Sequence, residues 1–190
     1  WDVSLRELAG RALRAARKDA GDLQPKSIYI GSMLAASASH QANLGALVCE
    51  VAGLAGQAEG VTAEVAEASG AAALNLAWQA IRSGMVDVAA VVGVEKVTDI
   101  VGAGQELSLL NASLDADYEA SEGLTPAGQA ALLLQRYLYE HQFPREVLQG
   151  FPQIAHNNAV NNPNAMFRRA LTEKTYNQAA TVAAPLNVFD

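Results

Sequence analysis

Hydrophobic and polar positions change their period several times along the chain, and each change marks an element. Residues 61–66 form a short β-type run, after which the small residues Ala68, Ser69 and Gly70 allow a sharp turn into a helix starting near Gly70. In that helix Leu74, Ala77, Trp78, Ile81 and Met85 recur on one side at helical spacing. Alanine fills most other positions and only Asn75, Gln79 and Arg82 make a polar stripe, so the pattern predicts a helix covered on most sides. Gly84 is placed to end it. Residues 87–94 are continuously apolar after Asp87, as in a strand buried on both faces of a parallel sheet. Together these make a β-α-β unit. Chemistry in such sheets gathers at the carboxyl ends of strands, where the next helix points unpaired N–H groups. Glu67, Ala68 and Ser69 occupy that spot.

Upstream, Ser4 and Glu7 have capping-box spacing, and Leu5, Leu8, Ala12 and Leu13 follow at helical intervals towards Asp19 and Gly21. Arg11, Arg14, Arg17 and Lys18 read as a solvated face of this helix. Pro25 separates it from a strand at 27–30 that ends at Gly31 and Ser32, and a second helix is predicted over 41–52 with Gly53 beyond it. Cys49 lies among Leu47, Val48, Val51 and Ala52, the setting of a small buried hydrophobe rather than a reactive thiol.

Beyond residue 97 the texture changes. Acidic residues cluster at Asp115, Asp117, Glu119 and Glu122, Pro126 turns the chain, a helix is predicted over 127–140, and asparagines surround His156 and Pro163. Insertions of this length are usually lids or binding loops. From Thr172 a short capped helix leads to a strand at 181–184. The predicted organisation is an α/β core over 1–97, a loop domain over 98–170, and a helix and strand over 171–190 that return to the core sheet.

Composition narrows the function classes. The chain has 190 residues, 51% hydrophobic and 17% charged, enough for a well-buried core. A net charge of −7 argues against a nucleic-acid partner. One cysteine excludes an intrachain disulfide and suits a reducing cytoplasm. No apolar run approaches the ~20 residues that span a bilayer, and no signal peptide is visible. His40, His141 and His156 lack ligand spacing, so no metal site is expected, and neither a phosphate loop nor a dinucleotide fingerprint is present.

The run Glu64-Val65-Ala66-Glu67-Ala68-Ser69-Gly70, its alanine-rich helix and the later Gly93-Val94-Glu95-Lys96 resemble the nucleophile segment of the thiolase superfamily, in the branch of acetyl-CoA acetyltransferases and sterol-carrier-protein thiolases. The resemblance continues through Asp117-Tyr118-Glu119-Ala120, Gly123, Thr125, Arg136-Tyr137, Arg145-Glu146, His156, Asn162-Pro163, Ala165, Phe167-Arg168, Pro185-Leu186 and Asp190. It implies one half of a five-layered αβαβα fold, with a mixed, mostly parallel sheet, a first strand preceding Trp1 and a second half carrying further catalytic groups. It also implies a loop domain over the active site that receives a coenzyme A ester, with His156 beside the ligand path. The other reading of His156 is a satisfied hydrogen-bonding residue. No covalently bound cofactor is implied; the CoA ester is substrate.

The chain departs from the family pattern at one residue, since Glu67 stands where the resemblance puts the nucleophilic cysteine. A thiolate there accepts an acyl group, whereas a carboxylate would form a reactive anhydride. Three readings follow. Glu67 is a general acid or base for carbon–carbon cleavage or formation without an acyl-enzyme, its pKa raised by burial. Alternatively the protein is an ordinary acyltransferase using a thiol from the second half. In the third, Glu67 caps the helix of a non-catalytic CoA-binding or scaffolding subunit. The resemblance further implies a homodimer paired through residues 61–66, and allows a small partner protein. One half alone would leave the apolar face of residues 71–85 uncovered.

Overall fold

The computed structural model describes residues 2–100, 102 and 108–190, which fall into two compact units, Trp1–Ser113 and Leu114–Asp190. Residues 101 and 103–107 of the expected loop domain lie outside the described residues.

The first unit is built on a parallel sheet. Helix α1, Leu5–Asp19, starts at Ser4, whose Oγ accepts the Glu7 amide N–H at 3.3 Å. Strand β1, Ser27–Gly31, is buried along its whole length. A four-residue helix α2, Ala35–Ala38, precedes α3, Leu44–Val51. Strand β2, Glu59–Ala63, leads to α4, Ser69–Arg82, and β3, Ala89–Gly93, follows. The strand order is β2-β1-β3 with both pairings parallel.

The two faces of this sheet are packed differently. Leu5, Leu13, Ile28, Ile30, Leu44, Val48 and Leu54 form a cluster of bulky side chains with α1 and α3. On the other face Tyr29 and Ala63 meet Ala73, Ala77 and Ala80 of α4. Alanine lets α4 approach closely, and Gly31 brings it closer still: a Cβ there would lie 2.7 Å from the Gly70 Cα and the Ser69 carbonyl oxygen.

Several expectations are corrected. The strand before the turn ends at Ala63, not residue 66, because Ala66 takes a left-handed φ of 43° that breaks extended pairing. The helical stripe of Leu74, Trp78, Ile81 and Met85 is uncovered in this unit, as expected of one half alone, with Trp78 59% and Met85 68% exposed; Ala77, placed on that stripe by its spacing, instead faces the sheet with Ala73 and Ala80. Strand β3 is shorter than 87–94 and lies at an edge of the described sheet; Ala90 and Val92 pack with the α1 and α3 cluster and Ala89 with the α4 cluster, while Val91 is exposed. Helix α3 begins at Leu44 because Asn43 is left-handed. Arg14 and Arg17 do more than face solvent, since their guanidinium groups donate to the Val51 and Ala52 carbonyls at the end of α3.

The second unit contains α5, Pro126–His141, α6, Gly150–Ala159, and the short α7, Glu173–Asn177. Thr125 and Thr172 cap α5 and α7 through their side chains. Strand β4, Thr181–Ala183, pairs antiparallel with β5, Leu186–Asn187, where the sequence reading returned it to the core sheet. The unit closes on Asp190: its Oδ1 accepts the Tyr176 hydroxyl at 2.6 Å and its Oδ2 accepts Arg145 Nη2 at 2.7 Å.

Candidate functional site

The register puts Ala63, Gly31 and Gly93 in one row, so β2, β1 and β3 end together. Three chain segments leave that row side by side. After β1, Ser32 is buried and its amide N–H donates to the Ala63 carbonyl at 3.2 Å. After β3, Val94 donates to the Gly31 carbonyl, and the Glu95 carboxylate then accepts Ser32 Oγ at 3.0 Å and the Met33 and Leu34 amides at 2.8 and 2.9 Å. Glu95 therefore fastens the turn after β1 to the end of β3. The sequence reading used Glu95 only as part of a motif; a serine just past one strand and a carboxylate just past another were the available signal.

The third segment is the turn from β2 into α4. Ala66 stands at φ 43°, a conformation costing a non-glycine residue on the order of 1 kcal/mol. Its amide N–H donates to Glu64 Oε1 at 2.6 Å. Ser69 is buried and both capacities of its hydroxyl are used: Oγ accepts the Val65 amide at 2.9 Å and donates to the Ala66 carbonyl at 2.6 Å. Ala68 and Ser69 amides close the turn on the Val65 and Ala66 carbonyls.

Glu67 lies at the tip of this turn and is exposed in the unit, where the sequence reading expected burial. Nor does it cap the helix. The N-cap residue is Ala68, and no side chain caps α4 there. An acidic group beside a helix N-terminus is still favoured, by roughly 0.3–1 kcal/mol when exposed. Ala68 and Gly70 are exposed alongside it, while Ser69 is the structural member of the group.

The remaining candidates separate from this turn. Cys49 is a free, buried thiol on α3, and burial raises its pKa, which keeps it protonated and unreactive. His156 belongs to the second unit, on α6. Its Nδ1 lies 3.2 Å from the Arg169 carbonyl oxygen and its ring meets Phe189 edge-on at 5.5 Å. A carbonyl partner fixes the proton on Nδ1 and leaves Nε2 as the acceptor in the neutral ring. Phe189 also lines an apolar cleft of about 400 Å³ with Leu134, Leu148, Phe151 and Leu186. Among the described residues no group of His, Cys, Asp or Glu could hold a metal ion, and no helix is long and apolar enough to cross a membrane.

A parallel α/β sheet whose three strands end in one row, beside the first turn of an alanine-faced helix, defines the class: an α/β domain of the kind that gathers ligands at the carboxyl edge of the sheet. The family model described as "Thiolase, N-terminal domain" matches residues 1–184, and the chain belongs to the thiolase family. It is 34% identical over its whole length to an acetyl-CoA acetyltransferase of Methanothermobacter thermautotrophicus and 35% identical to one of Methanocaldococcus jannaschii, covering 49% and 48% of those proteins. A benzoylsuccinyl-CoA thiolase subunit, BbsB, of Thauera aromatica is 28% identical over 99% of the chain and is covered to 46%. The chain thus spans about half the length of the curated relatives it matches.

Proposed function

We propose that the chain is the N-terminal half of a thiolase-family protein that acts on a CoA ester, breaking or making a carbon–carbon bond without an acyl-enzyme at position 67. The observation that carries this reading is a carboxylate, Glu67, exposed at the tip of the turn into α4, in a turn whose serine is fully engaged in holding the backbone. A carboxylate there is a competent proton acceptor and a poor acyl acceptor.

Retro-aldol cleavage of a 3-hydroxyacyl-CoA suits it. Glu67 takes the proton of the 3-hydroxyl, the C2–C3 bond breaks, and its electron pair moves to C2 as a thioester enolate. The carbonyl fragment leaves, and the proton on Glu67 returns to C2 to give the shortened acyl-CoA. In this reading His156 is a contact for the CoA ester, and the other half of the protein supplies the remaining groups.

Glu67→Gln in the intact protein tests this: turnover is expected to fall by at least ~100-fold while CoA-ester binding, measured by calorimetry, is retained. Unchanged turnover would refute the role. A second reading is favoured by the names of the two archaeal relatives, acetyl-CoA acetyltransferases. In it a thiol from the other half forms the acyl-enzyme, and thiolysis of a 3-ketoacyl-CoA by free CoA is the discriminating assay. Cys49 is not that thiol, because it is buried on the inner side of α3, where burial pushes its pKa up.

Assembly is part of the proposal. The outer edge of β2 is unpaired in the described sheet and Val61 is exposed there, which supports pairing with a second copy through residues 61–66. By its name the Thauera aromatica relative is a subunit, which supports a second, different chain. A dimer and a mixed complex differ in mass by sedimentation. The single buried thiol is in keeping with a cytoplasmic location.

A further inference from the structure

We propose that Ser69 and Glu64 are positioning residues for Glu67, and that their shared task is to hold Ala66 in the left-handed conformation that makes Glu67 the tip of the turn. The inference rests on the reading of Glu67 above. Ala66 is one of only five described non-glycine residues with positive φ, and it immediately precedes Glu67. Such a conformation persists where surrounding bonds over-determine it. Here two side chains do so from opposite directions: Glu64 accepts the Ala66 amide N–H, and Ser69 donates to the Ala66 carbonyl while accepting the Val65 amide. Both polar groups of the Ala66 backbone are thereby bound to side chains within the turn.

An ordinary helix entry needs neither. A serine preceding the first turn normally accepts N–H groups further along its own helix, whereas Ser69 reaches backwards to Val65 and Ala66. The turn is anchored from behind by β1, where Gly31 leaves no room for a Cβ against Ser69 and Gly70. With α4 fixed on that side, freedom of the Ala66 backbone passes directly to Glu67. A displacement of about 1 Å in a reacting group can cost on the order of 100-fold in rate.

The test compares Glu64→Ala, Glu64→Gln, Ser69→Ala and Glu67→Gln in the intact protein, with a panel of 3-hydroxyacyl-CoA esters and acyl-CoA release as the readout. Expected are a loss of about tenfold or more in kcat for Glu64→Ala and Ser69→Ala with KM within about twofold, and recovery close to wild type in Glu64→Gln, whose amide oxygen can still accept the Ala66 N–H. Hydrogen exchange at the Ala66 amide should accelerate in Glu64→Ala and not in Glu64→Gln. Glu64 is exposed, so its variants keep the question open to a decisive answer even if Ser69→Ala fails to fold. Wild-type kcat in both Glu64→Ala and Ser69→Ala, with Glu67→Gln inactive, overturns the positioning role and leaves Glu67 in place. Loss in Glu64→Gln equal to that in Glu64→Ala also overturns it. Turnover unaffected by Glu67→Gln, or no turnover by the wild type, overturns both.

Discussion

The two faces of the parallel sheet are filled by opposite means. Under α1 and α3 the core is bulky, with Leu5, Leu13, Ile28, Leu44, Val48 and Leu54 interlocking, and α3 is tied to α1 by Arg14 and Arg17. Under α4 it is thin, made of Ala73, Ala77 and Ala80 against Tyr29 and Ala63. The bulky residues Leu74, Trp78 and Ile81 of α4 are exposed, as is Met85 just beyond it. One face is therefore complete within the unit, while the other carries its large apolar side chains on the outside of its helix. Each fully covered large side chain would add roughly 1.5–3 kcal/mol, which makes α4 the place where a further layer gains most.

Substitutions can break that contrast. Leu44 is fully buried, and Leu44→Ala should cost about 2–5 kcal/mol, read as a lower denaturant midpoint. On the thin face the opposite change does damage: Ala77→Leu forces α4 off the sheet and should cost about 1–3 kcal/mol by the same measurement. Trp78→Ala, on the outer side of α4, should move the stability of the 190-residue chain by no more than ~0.5 kcal/mol. In the intact protein, with that face covered, the same change should approach ~3–5 kcal/mol. Equal effects in the two settings would show that α4 stays bare.

The smallest effect concerns pH and belongs to the complete face. Hydrogen bonds from Arg11, and then Arg14, hold the Glu7 carboxyl below its ordinary value. The folded state then binds fewer protons than the unfolded one, so the contribution is present above the ordinary glutamate pKa and lost as pH falls through the lowered one. Because Glu7 is at the surface, the expected result is a slight fall in thermal midpoint below about pH 4.5 that Glu7→Gln lacks.

Much of the frame was legible in residue patterns. The N-cap at Ser4, the apolar run of β1, Gly84 after α4 and Thr172 before α7 each follow from local chemistry, and each is found, although the Glu7 carboxylate turns to Arg11 and Arg14 instead of completing a capping box. Which residues line the inner side of α4 was less legible, for a physical reason. Periodicity identifies the stripe of large side chains, and in a helix lying close to a sheet that stripe is the outer one, with alanine inside. The family resemblance was readable from the segment around Ser69-Gly70 and from Gly93-Val94-Glu95-Lys96. The bonds of Ser69, Glu64 and Glu95 were not, because they depend on how three strand ends meet in one row.

The most direct measurement is the mass of the intact protein, taken while a 3-hydroxyacyl-CoA is being cleaved and acyl-CoA released. Turnover with the protein mass unchanged is the predicted result, since the role proposed for Glu67 is to move a proton without a bond to the acyl group. An added acyl mass that appears and decays with turnover would contradict it, and would place the chemistry on a thiol supplied by another part of the protein.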